Sequence, residues 1–189
     1  MNAAALRSTI RNIPHFSGIF CSALAVVLFS LQTHAESPKR FLATVTKVVD
    51  GDTIKISYGE RRESVRLIGI DAPESSANDR ALRQASRTSV DVATIVRLGK
   101  RSKSHLQESL PIGTKVQIET DLEPRDRYER LLAYVYLPSG AMINEAMLIS
   151  GFASPLTIPP NVRYAERFVA LSRESRLAHR GLWADSQLP

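Results

Sequence analysis

Phe41-Leu42-Ala43-Thr44-Val45-Thr46-Lys47-Val48-Val49-Asp50-Gly51-Asp52-Thr53-Ile54-Lys55-Ile56-Ser57-Tyr58 is the stretch on which the fold turns. From Phe41 to Val49 apolar and polar residues alternate with β-branched enrichment, the pattern of a half-buried strand. Asp50-Gly51 is a turn signal, and Thr53 to Tyr58 reads as the returning strand of a hairpin. Tyr58-Gly59-Glu60 makes the next turn, and Ser64 to Ile70 predicts a third strand.

Further along, Asn78 to Arg97 reads as a helix with a weak apolar stripe through Leu82, Ala85, Val92 and Val96. Pro111-Ile112-Gly113 breaks the chain before a fourth strand, Thr114 to Thr120. Leu131 to Leu137 is the fifth, ended by Pro138-Ser139-Gly140. Asn144 to Ser150 predicts a short helix stopped by Gly151. Pro155, Pro159 and Pro160 mark an irregular crossover. Asn161 is placed to cap a last helix that ends before Gly181, with Ala165, Phe168, Leu171 and Ala178 on one face. Trp183 is expected to dock on the core. Five short strands with helices inserted late predict an α+β protein built on a five-stranded OB-fold barrel with about three helices.

The chain has 189 residues, a formal net charge of +6 and one cysteine, Cys21. The length suits one domain with a real core. The basic balance favours polyanionic partners without proving one. With no second cysteine there is no intrachain disulfide, so packing must supply the stability. Residues 1–35 read as a signal peptide. Arg7 and Arg11 form a positive start, Ile19 to Leu31 is apolar, and Thr33-His34-Ala35 offers small residues for cleavage after Ala35. The alternative, an uncleaved anchor, has an apolar run well short of the about 20 residues a span needs. The remaining 36–189 segment would be the folded domain. It keeps 23 of the 25 basic residues against 19 acidic ones, about +4.

Three clusters concentrate the chemistry: Val49-Asp50-Gly51-Asp52-Thr53, Val65-Arg66-Leu67-Ile68-Gly69-Ile70-Asp71-Ala72-Pro73-Glu74, and Asp126-Arg127-Tyr128-Glu129-Arg130. Asp52, Asp71 and Glu74 are carboxylates that can hold a hard cation or activate water. Arg66 and Arg130 are guanidiniums that can stabilise charge growing on a phosphorane. Each motif alone has a plain structural reading. Asp50-Gly51-Asp52-Thr53 is a common hairpin turn, and Arg66 in mid-strand suits a structural salt bridge. An acid such as Glu74 near a helix start suits the helix dipole, and Tyr128 suits a strand edge. Pro73 stiffens the backbone between Asp71 and Glu74, fixing its own φ and pushing Ala72 toward extended geometry. The basic residues from Arg80 to Lys103 fit either a solvated helix face or a grip on a polyanion.

The order and spacing of these motifs, from about Phe41 to Trp183, resemble the staphylococcal nuclease (thermonuclease) family. The resemblance implies a calcium-dependent endonuclease acting on DNA and also RNA and leaving 3′-phosphates. It implies Ca2+ bound by Asp52, Asp71 and the backbone carbonyl of Ala72, where family members often carry threonine. Glu74 would be the general base, Arg66 and Arg130 the phosphate clamp, and Tyr128 a phosphate contact. The family's crossover tyrosines are missing between Phe152 and Arg163. A secreted or periplasmic monomer without stable membrane association is expected. The rival reading is a non-catalytic nucleic-acid-binding OB-fold module, for which a base at Glu74 would have no use.

Overall fold

Buried and exposed residues alternate along much of the first hairpin, giving it a core-facing side, and register irregularities between Val45 and Lys47 and between Val48 and Asp50 bend it. The computed structural model describes residues 40–184, so the signal segment and its cleavage site lie outside the described residues. Strands β1 (Arg40–Asp50), β2 (Thr53–Tyr58) and β3 (Arg61–Leu67) form an antiparallel meander. Strands β5 (Lys115–Arg125) and β6 (Leu131–Tyr136) complete a closed barrel in the order β1-β2-β3-β6-β5. Between β3 and β5 come β4 (Gly69–Asp71), α1 (Asp79–Thr88) and α2 (Val92–Ser109). After β6 come α3 (Ile143–Ile149), β7 (Ser154–Leu156), α4 (Ala165–Leu177) and a 3-10 turn at Gly181–Ala184. No helix among the described residues is long and apolar enough to cross a membrane.

The barrel closes through β3 and β6, which run parallel with Val65 opposite Leu131 and Leu67 opposite Ala133. A parallel pair cannot be joined by a hairpin, so α1, α2 and β5 lie in the connection. Val45, Ile54, Ile56, Val65, Leu67, Ile118, Ala133 and Val135 are buried in the core, which extends through Met147 and Leu148 to Phe168 of α4.

The predicted third strand does not run through to Ile70. At Gly69, φ is 79° and an added Cβ would run into the Phe168 ring, so only glycine fits. The chain leaves the barrel there, and β4 pairs instead with β7, Ile70 opposite Pro155. The predicted Asn78 to Arg97 helix is likewise two. Asn78 caps α1, accepting from the Arg80 and Ala81 amides at 2.9 Å. Ser89, at φ 56°, ends it, and Asp91 starts α2 by accepting from the Thr94 amide. Helix α2 then continues to Ser109, burying Ile95, Leu98, Ser102 and Leu106 rather than Val92 and Val96. The described residues therefore contain four α-helices rather than about three.

Two asparagines brace the backbone through their side chains. Asn161 does not cap α4, which starts at Ala165. Its side chain instead exchanges bonds of 2.9 and 2.8 Å with the Glu123 backbone. Arg163 adds ion pairs to Glu119 and Asp121, so the crossover is fastened to β5. Asn144, fully buried in α3, accepts from the Val135 amide at 3.0 Å and donates to the Ile68 carbonyl at 2.9 Å. It thereby satisfies backbone groups where β3 ends. On α4, Phe168 is buried as expected, but Ser172 and Ser175, not Ala178, complete the inner face. Trp183 lies only partly buried under the Arg176 guanidinium, and it is Leu182 that is buried.

Asn144→Ala strands a buried amide and a buried carbonyl. A loss of about 2–4 kcal/mol is expected in urea unfolding. A midpoint and slope matching the wild type would refute this role.

Candidate active site

The barrel's break at Gly69 brings the first two acidic clusters together. Asp52 lies in the β1–β2 turn and is 3% exposed. One of its oxygens, Oδ1, accepts from the Thr53 hydroxyl. The other, Oδ2, accepts from the Ala72 amide at 3.2 Å and lies 3.0 Å from Arg66 NH2. Asp71 Oδ1 lies 2.9 Å from the same Arg66 nitrogen. Arg66 NH1 donates to the Leu67 and Ile70 carbonyls, 2.8 Å each. The salt bridge and the cluster are thus the same arrangement, and Arg66 has no need to snorkel.

Negative charge is crowded here. Desolvation, opposed by a bond from the Gly51 amide and reinforced by Asp52 and Glu74, pushes the Asp50 carboxyl up to about 6. Desolvation also raises Asp71, with Arg66 opposing and Asp52 adding to the rise. Asp50, readable in the sequence only as a turn residue, is therefore part of the site, with Oδ2 reaching the Ser75 amide. No three His, Cys, Asp or Glu side chains form a ready-made metal cluster among the described residues. What is present is two hard carboxylate oxygens converging on one cationic point with a carbonyl close in sequence. That donor set fits a divalent ion of the calcium or magnesium type better than zinc. The Ala72 carbonyl accepts a long 3.3 Å bond from Gln84 and keeps a lone pair for a cation.

Glu74 is 5% exposed and held on both oxygens, by Arg80 at 2.8 Å and by Asn78 at 3.0 Å. Its amide donates to Gln84. Behind it, Gly99 of α2 lies so close that an added Cβ would strike the Glu74 carbonyl. Gly51 similarly makes room for Ser102 and Ala72. Asn78, Arg80, Gln84 and Gly99 were not singled out as site residues from sequence. The glycine inside an otherwise good helix was the available signal.

The third cluster forms the loop between β5 and β6. Asp126 Oδ1 accepts from the Tyr128 and Arg130 amides, and Oδ2 takes Arg130 Nε at 2.8 Å and NH2 at 2.7 Å. Burial works to raise the Asp126 carboxyl, but the bonds from Arg130 and the backbone outweigh it and leave it lowered. Tyr128 is 62% exposed, with its hydroxyl accepting from Arg127 and the Arg127 and Arg130 guanidiniums against its ring. Arg66, Tyr128 and Arg130 line one cavity of about 450 Å³, whose far wall is Leu156 and Ile158. Glu74 and the acidic pair are not among its lining residues. Arg66 links the two halves.

A small barrel carrying clustered acids beside an arginine-lined cavity is the architecture of an OB-fold phosphodiesterase site. The family model described as staphylococcal nuclease homologue matches residues 64–185, and the chain belongs to this family. It is 27% identical to a thermonuclease of Staphylococcus hyicus over 89% of this chain and 97% of that protein. It is 28% identical to the endonuclease YncB of Bacillus subtilis over 81% of this chain and 67% of the relative. An uncharacterized endonuclease of Escherichia coli is 30% identical over 75% and 76%. At the level of the family these relatives support a nuclease activity.

Gly99→Ala pushes the helix off the Glu74 backbone. A misplacement of about 1 Å can cost on the order of 100-fold in rate. The expected result is a drop of that order in single-turnover nucleic-acid cleavage by a protein that still melts cooperatively. Cleavage at the wild-type rate would remove Gly99 from the positioning of Glu74.

Proposed function

We propose that this chain is a calcium-dependent endonuclease that hydrolyses DNA and RNA to 3′-phosphates. The observation that carries the reading is the single Arg66 guanidinium held by both Asp52 and Asp71 while lining the same cavity as Arg130. Calcium, when bound by Asp52, Asp71 and the Ala72 carbonyl, supplies charge that neutralises a non-bridging phosphate oxygen.

The chain's own residues do the rest. Glu74, its rotamer set by Asn78 and Arg80, takes the proton from a water attacking phosphorus. The bond to the 5′ oxygen breaks with its electron pair going to that oxygen, which takes a proton from solvent and leaves as the 5′-hydroxyl. Arg130 donates N–H groups to the equatorial oxygens, where charge accumulates. Arg66, its NH1 and NH2 committed to carbonyls and to Asp52 and Asp71, adds its positive charge beside them. Asp126 pre-orients Arg130 by holding its fork on one edge. Tyr128 offers its exposed ring and hydroxyl at the cavity rim. Leu156 and Ile158 present apolar surface to a base without the hydrogen-bonding hydroxyls that tyrosines would bring.

Single-turnover cleavage of labelled DNA tests this reading. Activity should appear with calcium and disappear with chelator. Glu74→Gln should lose on the order of 100-fold or more with DNA binding retained. Arg66→Lys and Arg130→Lys, which keep charge but lose the planar fork, should each lose on the order of 100-fold in maximal rate. Undiminished cleavage in chelator would sink the metal assignment. A wild-type protein that binds DNA under all conditions and never cuts it would favour the non-catalytic module.

We also propose that residues 1–35 are removed on export, leaving a secreted or periplasmic enzyme that begins at Glu36. The charged start and apolar run of the leader support this. Intact mass of the protein recovered from outside the cytoplasm should lack those residues. A full-length mass in that fraction would contradict cleavage.

A further inference from the structure

The ladder that carries Arg66 continues away from the site with an unexplained row of cations. Along β3, Arg62, Ser64 and Arg66 project from one face, because side chains alternate with period two. The register places Arg66 opposite Thr53, Ser64 opposite Lys55 and Arg62 opposite Ser57. On the next strand, Lys47 stands directly opposite Lys55. The result is a groove of about 740 Å³ on the outer surface of β1–β2–β3, lined by Lys47, Lys55 and Arg62 among others.

These three side chains are exposed and form no ion pair among the described residues. Two like charges facing each other across a ladder destabilise a sheet, and the nearby acids do not relieve it. Glu63 borders the groove but is committed to Arg125, at 3.1 and 2.9 Å, and to Tyr58. Glu60 sits in the exposed turn at the groove's end. The basic run after Glu74 is different, since Arg80 is spent on Glu74 and Arg101 reaches the Gly181 carbonyl.

We propose that the outer face of β1–β2–β3 is a track for the phosphate backbone of the polynucleotide flanking the scissile bond. This rests on the nuclease reading for its substrate. Charge complementarity selects the occupant: a polyanion relieves the facing lysines, and Ser57 and Ser64 between the cations can donate hydroxyls to phosphate oxygens. Successive same-face positions on a strand are about 7 Å apart, so Arg66, Ser64 and Arg62 form a stepped row leading out of the site. The track makes the enzyme prefer polymers over dinucleotides and makes that preference sensitive to salt.

The test compares Lys47→Gln/Lys55→Gln/Arg62→Gln with a control of equal charge change, Arg83→Gln/Arg87→Gln/Lys100→Gln. Binding is measured by fluorescence anisotropy, in a Glu74→Gln background, on a labelled single strand of about 20 nucleotides, longer than one OB-fold site. The track variant should bind on the order of 10-fold more weakly at low salt, and its log K against log salt slope should be shallower by about 2. In the active background, the polymer-to-dinucleotide ratio of kcat/KM should fall on the order of 10-fold. Unchanged slope and affinity would overturn the proposal, as would an equal change in the control. An equal loss on dinucleotide and polymer would also overturn it, because the effect would then act through the cleavage site. A wild-type protein that shows the track's salt dependence without cleaving would sink the nuclease reading and leave the track standing.

Discussion

The guanidinium of Arg66 is the contact on which the rest of the site depends. Its NH1 closes on the Leu67 and Ile70 carbonyls and so spans the break where the chain leaves the barrel. Its NH2 gathers Asp52 from the first hairpin and Asp71 from β4. A buried charge is costly unless it is paired and hydrogen-bonded, and here every bond that satisfies it also fixes a piece of the site. Removing Arg66 would leave two repelling carboxylates and an unbraced turn, a change larger than the loss of one phosphate contact.

Close backbone approach is the second constraint. Gly51, Gly69 and Gly99 each occupy a place where a Cβ would collide, with Ser102, Phe168 and the Glu74 carbonyl in turn. Together they let helices α2 and α4 press against the acidic loops without intervening side chains. Precision comes from this packing more than from the loop sequences themselves. Asp71-Ala72-Pro73-Glu74 is stiffened by its proline, but it is located by α2.

Much of this was legible in the sequence where pattern is local. The Phe41 to Tyr58 hairpin, the fourth and fifth strands and the short helix near Asn144 follow from alternation and turn residues, and the structure has them. The break at Gly69 was not legible, because Val65 to Ile70 alternates like one strand and only the Phe168 ring, far along the chain, forces the chain to turn. The α1–α2 division escaped for a related reason: Ser89 takes a left-handed conformation that propensity does not assign to serine. Asp52 and Asp71 meet at Arg66, the Ala72 amide bonds to Asp52, and Arg130 and Tyr128 share the cavity with Arg66. The partners of Glu74 could not be read, since Arg80 and Asn78 look like ordinary helix-start residues until the fold aims them.

The parallel pairing of β3 with β6 has a consequence for the life of the chain. Arg66 and Arg130 stand far apart in sequence and share a cavity only after barrel closure, a non-local step of the kind that is slow in folding. A ribosome-bound chain whose β6 has not emerged cannot bring Arg130 to the cavity that Arg66 lines. The arrangement proposed to cut nucleic acid is therefore completed only when this non-local seam pairs.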